Sequence, residues 1–190
     1  MFVKNRWFWI AALLGLVVDR LSKFWVLYAF GLPLPPPDTP KEVLDRFTQD
    51  LVQLIPGVFH LTYALNKGAA FSIFPDGVGW LRWLSLAVGI GLLAFAWFGP
   101  TLNRWEQLGY GFILSGALGN GIDRFLWGYV VDFLNFQLIR FPIFNVADTF
   151  INVGLVCLII AAFQHPPRLH DGRSGSHSTN SHSTQRKEEP

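Results

Sequence analysis

The chain has 190 residues, of which 51% are hydrophobic, 16% aromatic and only 15% charged, whereas soluble domains carry roughly 25% charged residues. This composition excludes a disordered protein. The single cysteine excludes a disulfide-stapled secreted domain, and a net charge of +2 excludes a basic protein with nucleic acid as its partner. We therefore predict a small integral membrane protein.

Four apolar stretches are predicted to cross the membrane as helices, because each is close to the ~20 residues that span a hydrocarbon core. They cover residues 7–30, 78–98, 108–127 and 144–163. The third is long enough only if residues 123–127 continue it. The first is predicted to be retained rather than removed as a signal peptide, because Asp19, Arg20 and Lys23 stand where a small-residue cleavage site would be.

The segments between these spans are predicted to form a small extended or β substructure outside the membrane. Residues 31–77 begin with a proline-rich stretch, continue with a short polar helix near residues 41–50, and include the strand-forming run VFHLTYAL. Residues 100–107 are expected to form a loop on the opposite side. Residues 128–143 are expected to form a loop that serves as a lid between spans three and four.

The predicted fold class is therefore an all-α membrane protein of four spans that carries this small substructure. The membrane domain covers residues 1–164. Residues 165–190 are rich in Ser, His and Arg and have little to bury, so we predict a disordered tail there.

Two residue patterns concern packing and the membrane interface. Gly111, Ser115 and Gly119 recur every four residues, which predicts close approach of another helix. Five aromatic residues near one interface are expected either to bound a cleft or to form an ordinary aromatic belt: Trp80, Trp83, Trp127, Tyr129 and Phe133.

Polar residues gather at one end of the predicted bundle. An ionisable group within a span costs about 2.5–3.5 kcal/mol on insertion scales, so each indicates a partner or a function. Alternating span directions place seven polar residues on the side away from the termini: Asn66, Asn120, Asp123, Arg124, Asp132, Asn145 and Asp148. Asp19 and Lys23, four residues apart on the first span, are predicted to form an ion pair, with a direct role in substrate binding as the alternative.

Two of these acids have the surroundings of a catalytic pair. Asp132 and Asp148 lie among apolar residues, so desolvation and mutual repulsion would leave one proton shared between them if they meet. Such a pair can accept a proton from water and donate one to a scissile carbonyl, which is the chemistry of aspartic proteases. Asp123, beside Arg124 and three residues after Asn120, is expected to stay ionised.

Three other chemistries stay open. Asp123, Asp132 and Asp148 could bind a metal, although no histidine lies near them in sequence, and we expect none. Lys23 could serve as the base of a Ser-Lys dyad. A proton-coupled transporter could use Asp19, Asp123 and Asp148 as a relay, but a relay needs acids throughout the membrane depth, and only Asp19 lies away from the clustered end.

Four short motifs and the pair Asp19 and Lys23 occur in a characteristic order. The motifs are NKGAAF at residues 66–71, GNGIDR at 119–124, VVDF at 130–133 and FNVAD at 144–148. Together they resemble the bacterial lipoprotein signal peptidases, the signal peptidase II family, over about residues 7–164.

The resemblance implies an intramembrane aspartic endopeptidase without a cofactor. It would remove the signal peptide of prolipoproteins by cutting before the diacylglyceryl-modified cysteine. Asp132 and Asp148 would be catalytic. The remaining family positions would line the site (Asn66, Gly68, Asn120, Arg124 and Asn145) or support it (Asp19, Lys23 and Asp123).

The resemblance also settles an orientation that the count of basic residues leaves tied. It implies cytoplasmic termini and an active site toward the periplasmic face of the inner membrane, together with inhibition by the cyclic peptide globomycin. The expected partners are diacylglyceryl-prolipoproteins and membrane lipids, and we expect a monomer.

Overall fold

The computed structural model describes residues 4–37, 39–68, 78–139 and 141–164. The predicted tail at 165–190 lies outside the described residues. The described elements, in chain order, are α1 (Arg6–Ala29), α2 (Lys41–Leu44) with a following 3₁₀ turn (Asp45–Phe47), β1 (Gln49–Ile55), β2 (Phe59–Asn66), α3 (Val78–Phe98), α4 (Arg104–Leu126), β3 (Val130–Phe136) and α5 (Val146–Gln164).

The long helices α1, α3, α4 and α5 coincide with the four predicted spans to within a few residues. Within the described residues, two segments are long and apolar enough to cross a membrane by composition alone, Gly79–Phe98 and Val146–Gln164. α1 and α4 carry more polar side chains. The helices are therefore where the sequence predicts them, whereas the count of four crossings stays a prediction.

Helix α4 begins four residues earlier than predicted, so the expected loop over residues 100–107 was too long. The Asn103 side chain accepts a hydrogen bond from the Glu106 N–H at 3.0 Å, and the Glu106 carboxylate accepts one from the Asn103 N–H at 2.8 Å. This capping box satisfies backbone N–H groups at the helix start. At its other end α4 continues to Leu126, as a spanning length requires.

The extramembrane segments form one antiparallel sheet in the order β1-β2-β3. The predicted strand corresponds to β2, whereas β1 was not predicted and replaces the end of the polar helix expected over residues 41–50. The prediction that Asp132 lies in a loop is wrong, because Asp132 belongs to β3 and is paired with Ala64 of β2. The run VVDFLNF is rich in β-branched and aromatic residues, which favour a strand. A lid role for the neighbouring connection stays a prediction.

The proline-rich stretch is attached to the sheet by two buried tyrosines. The Tyr63 hydroxyl donates to the Pro33 carbonyl at 2.5 Å, and the Tyr129 hydroxyl donates to the Pro35 carbonyl at 2.7 Å. Both rings belong to a core cluster that also contains Leu27 of α1. The sheet is therefore packed on the end of the helical bundle.

Helix α4 lies between α1 and α5, and small residues allow the close approach. A Cβ atom added at Gly111 would lie 2.6 Å from the Phe8 carbonyl oxygen of α1. A Cβ atom at Gly109 would lie 2.9 Å from the Gly154 carbonyl oxygen of α5. The prediction of close helix packing along Gly111, Ser115 and Gly119 is confirmed, because Cβ atoms added at Gly111 and Gly119 would each lie 2.6 Å from an atom of α1.

We expect Gly111→Ala to lower the free energy of unfolding by about 1–3 kcal/mol, because the added methyl group meets backbone that must move. Gly91→Ala in α3 is the matched control, since a Cβ atom there meets nothing within 4 Å. The control should be neutral or slightly stabilising. Thermal unfolding in detergent micelles measures both, and equal stability of the two variants would contradict this packing.

Candidate active site

Asp132 of β3 and Asp148 of α5, here called the acid pair, are brought together by a chain reversal. Phe144 forms an antiparallel bridge with Leu134, with hydrogen bonds of 2.8 and 3.0 Å. This bridge returns the chain alongside β3, so that Asn145 lies next to Asp132. Helix α5 begins immediately afterwards and carries Asp148 in its first turn.

Asn145 connects the two acids directly. Its side-chain amide donates to Asp132 Oδ1 at 2.7 Å, and its backbone N–H donates to Asp148 Oδ2 at 3.1 Å. The Asp148 N–H in turn donates to Asn145 Oδ1 at 3.1 Å. This reciprocal arrangement has the form of a capping box, so the start of α5 and the geometry of the acid pair depend on the same asparagine.

Two further asparagines complete the set of donors. Asn66 Nδ2 donates to Asp132 Oδ2 at 3.0 Å, and Asn120 Nδ2 donates to Asp148 Oδ1 at 2.7 Å. Each of the four carboxylate oxygens therefore accepts a hydrogen bond from a neutral amide. Among the described residues, neither acid forms an ion pair, so the nearest hydrogen-bond donors to both carboxylates are amides.

Burial controls the protonation of Asp132. Removal of its carboxyl group from water raises its pKa to about 8, and the negative charge of Asp148 contributes in the same direction. A hydrogen bond from Asn66, the positive charge of Lys23 and a hydrogen bond from Asn145 only partly oppose this shift. At neutral pH the acid pair can therefore hold one proton.

Arg124 binds backbone rather than an acid. Its guanidinium donates to the carbonyl oxygens of Asn120 and Gly68, each at 3.4 Å. The Gly68 N–H donates to Asn66 Oδ1 at 2.9 Å, so Arg124 and Gly68 together help to orient Asn66. The expectation that Asp123 relies on the adjacent Arg124 is wrong.

Asp123 belongs instead to an ion cluster between α1 and α4, formed by Asp19, Arg20, Lys23 and Asp123. Arg20 contacts both acids at 2.6 Å, and Lys23 Nζ lies 2.7 Å from Asp123 and 3.2 Å from Asp19. The predicted pair of Asp19 and Lys23 is present but is half of a neutral set of four. Asp123 faces these cations rather than the acid pair. This arrangement does not support the alternative of a metal site formed by Asp123, Asp132 and Asp148.

Sequence reasoning missed Arg20, although charge balance contains the signal. Pairing Asp19 with Lys23 leaves Arg20 without an acid on the first predicted span, and the third span carries the acid Asp123 next to Arg124. A cation without an acid on its own helix is expected to meet one on a helix that packs beside it.

The ion cluster also holds the backbone that carries the acid pair. Asp19 Oδ1 accepts the Ala147 N–H at 3.1 Å, and Asp123 Oδ2 accepts the Val131 N–H at 3.4 Å. Each N–H belongs to the residue immediately before one member of the acid pair. Both acids are thus positioned from one ionic unit.

A cavity of about 630 Å³ opens beside the acid pair and follows α5 away from the sheet. Its lining is mostly apolar. It includes Asn66, Gly68, Trp105, Asn120, Arg124, Val130, Asp132, Phe136, Phe141, Pro142, Ile143, Phe144, Asp148, Thr149, Ile151, Asn152, Val153, Val156, Cys157 and Ile160. The five aromatic residues expected to bound a cleft do not line this cavity, and Tyr129 and Phe133 are buried elsewhere.

Comparison with known proteins gives a consistent result. The model of the family described as signal peptidase (SPase) II matches residues 11–164. The lipoprotein signal peptidase of Microcystis aeruginosa is 58% identical over 169 residues, covering 89% of this chain and 99% of the relative. That of Nostoc sp. is 52% identical over 170 residues, covering 90% and 98%.

Two solved structures of bacterial membrane enzymes, obtained by the in meso method at 2.3 and 1.9 Å resolution, share the fold. The first has a TM-score of 0.65 and 25% identity, covering 87% of this chain and 92% of the other. The second has a TM-score of 0.62 and 27% identity, covering 82% and 91%.

The ion cluster predicts a charge-balance effect on stability. Lys23→Met and Asp123→Asn should each cost about 3–5 kcal/mol, because each strands a buried charge. The double variant restores a neutral cluster, so its loss of stability should be clearly smaller than the sum of the losses of the two single variants. Thermal unfolding of all three variants provides the measurement, and additive losses would show that the two residues are not coupled.

The raised pKa of Asp132 predicts a pH dependence of stability. The pKa of this carboxyl group is ~4 in the unfolded chain and about 8 in the folded protein. Between these two pH values the carboxyl group is protonated in the folded protein and ionised in the unfolded chain. Stability from this proton is complete below pH ~4 and is lost as the pH rises toward 8. Unfolding temperatures across this window should fall less steeply for Asp132→Asn than for the parent protein. Identical slopes would be inconsistent with a proton on Asp132.

Proposed function

Because this chain belongs to the signal peptidase II family, we propose that it is an aspartic endopeptidase that removes signal peptides within the membrane. Family membership makes it a peptidase of lipoprotein precursors and an integral protein of the inner membrane, as its composition predicts. The aspartic mechanism and the cleavage position are the parts we propose. One observation carries them: Asp132, which is buried, and Asp148, which is partly buried, share Asn145 and accept hydrogen bonds only from amides.

In the proposed reaction, Asp132 holds the shared proton and Asp148 is ionised. Asp148 accepts a proton from a water molecule as its oxygen attacks the scissile carbonyl carbon. Asp132 donates its proton to the carbonyl oxygen, which gives a neutral tetrahedral intermediate. Collapse of the intermediate breaks the C–N bond, with a proton passing to the leaving amine and another returning to the acid pair. Water and two carboxyl groups suffice, so no cofactor is required.

The cavity has the properties that a lipidated substrate needs. A signal helix and a diacylglyceryl group are both apolar, and both can reach the acid pair by moving laterally within the bilayer. The mostly apolar lining along α5 offers such a surface beside the acids. We therefore propose diacylglyceryl-prolipoproteins as substrates, cleaved before the lipidated cysteine.

The proposed topology follows the same family likeness. We place both termini in the cytoplasm and the acid pair toward the periplasmic face, and we propose that the enzyme acts as a monomer in contact with membrane lipids.

The ion cluster disfavours the transporter alternative. A proton relay needs acids that are open to a moving proton, whereas Asp19 and Asp123 each contact both Arg20 and Lys23. Both carboxylates are therefore engaged in ion pairs that join α1 to α4.

The direct test is cleavage of a purified diacylglyceryl-modified prolipoprotein by the purified protein, with globomycin as the inhibitor. Cleavage of the lipidated form that globomycin blocks would support the proposal. Failure of the intact, folded protein to cleave it would reject the proposal.

Asp132→Asn and Asp148→Asn should each reduce the cleavage rate at least ~10²-fold, the scale of losing a general acid or base. Asp123→Asn should instead lower the melting temperature, with activity following the folded fraction. Asp50→Asn, an exposed acid of β1 outside the cavity, is the matched control and should keep its rate. The measurement is the initial rate per folded molecule. Our assignment is wrong if a folded Asp123→Asn is inactive while Asp132→Asn cleaves normally.

A further inference from the structure

Asn152 has a polar side chain on the cavity wall, and the proposed mechanism assigns it no role. It follows Asp148 by one turn of α5 and lines the same cavity with an exposed side chain. Its Nδ2 donates to the Asp148 carbonyl oxygen at 3.0 Å. A carboxamide on a membrane-spanning helix is costly when its hydrogen-bonding groups face an apolar space.

The other carboxamides and carboxylates of the cavity wall differ from Asn152. Each of them bonds to another side chain of the site: Asn66, Asn120, Asp132 and Asp148. The Asn152 side chain bonds only to the backbone of its own helix. Its Oδ1 and its second N–H have no partner among the described residues, so this carboxamide is available to a bound molecule.

The position of Asn152 restricts which chemical group of a bound molecule can reach its carboxamide. An α-helix rises 1.5 Å per residue, so Asn152 lies about 6 Å further along α5 than Asp148. Apolar neighbours, Ile151, Val153 and Val156, form the wall around it. A substrate carbonyl placed there loses its water and needs a replacement donor. An extended peptide covers 6 Å in about two residues, and a glyceryl ester on the adjacent cysteine side chain has a similar reach.

We infer that Asn152 donates a hydrogen bond to a carbonyl oxygen of the bound substrate, either of a glyceryl ester or of the signal peptide backbone. This inference rests on the proposed peptidase function and assigns Asn152 as a positioning residue. The bond forms when the substrate enters the cavity, so its loss raises KM and leaves the chemistry at the acid pair largely intact.

The experiment compares two synthetic prolipoprotein peptides that differ only in their lipid linkage. One carries a diacylglyceryl group with ester carbonyls, and the other carries a dialkylglyceryl group whose ether linkages have no carbonyl. Steady-state kinetics are measured for the parent protein, Asn152→Leu and Asn152→Gln. Asn152→Leu should raise KM for the diester roughly fivefold to tenfold, the scale of one lost hydrogen bond, with little change in kcat. Asn152→Gln keeps the carboxamide and should stay close to the parent.

The pattern across substrates identifies the oxygen. A rise in KM for the diester alone assigns the bond to an ester carbonyl, whereas an equal rise for both assigns it to the peptide backbone. An unchanged KM for both, or a loss confined to kcat, overturns the inference. If the parent protein cleaves neither peptide, the proposed function itself fails, and that result differs from an unaffected Asn152→Leu.

Two controls separate positioning from folding. Leu155→Ala lies on the same helix, exposed and outside the cavity wall, and should leave KM unchanged. Asn152→Ala provides a second variant without the carboxamide in case Asn152→Leu unfolds. A melting temperature equal to that of the parent is required of each variant that is compared.

Discussion

The structure depends on four charges that neutralise one another, three of them buried and the fourth, that of Arg20, partly buried. Asp19, Arg20, Lys23 and Asp123 join α1 to α4, and no single member can be removed without stranding a charge in an apolar environment. Buried ion pairs of this kind are weak contributors to net stability, because desolvation offsets their attraction. Their value here is geometric, since Asp19 and Asp123 also accept the N–H groups of Ala147 and Val131.

The four acids of this region form two pairs that differ in the groups that contact them. Asp19 and Asp123 each contact two cations, whereas Asp132 and Asp148 accept hydrogen bonds from amides and can share a proton. Lys23 contacts both environments, because its Nζ also donates to Asn120 Oδ1 at 3.1 Å. Four carboxylates within one small region can therefore serve two different purposes.

The acid pair also requires the sheet and the close-packed helices. β2 brings Asn66 beside β3, and the bridge between Leu134 and Phe144 returns the chain to the start of α5. Gly119 permits α4 to pass close to Asp19, since a Cβ atom there would lie 2.6 Å from its carboxylate. Small residues thus allow the ion cluster to form, and the ion cluster fixes the backbone on which the acids stand.

Local sequence determined the membrane class, the four long helices and strand β2, because apolar length and residue type act over neighbouring residues. It also predicted Asp132, Asp148 and their neighbouring asparagines as site residues, because few polar residues lie at one end of the apolar spans. Only the tertiary structure decided which charges pair: Arg20 with Asp123 rather than Arg124, and Asn145 between both acids. It likewise decided that Asp132 stands in a strand and that other aromatics line the cavity. These outcomes depend on contacts between segments distant in the chain, and an ion pair or a strand partner is chosen by distance in space, which sequence spacing does not specify.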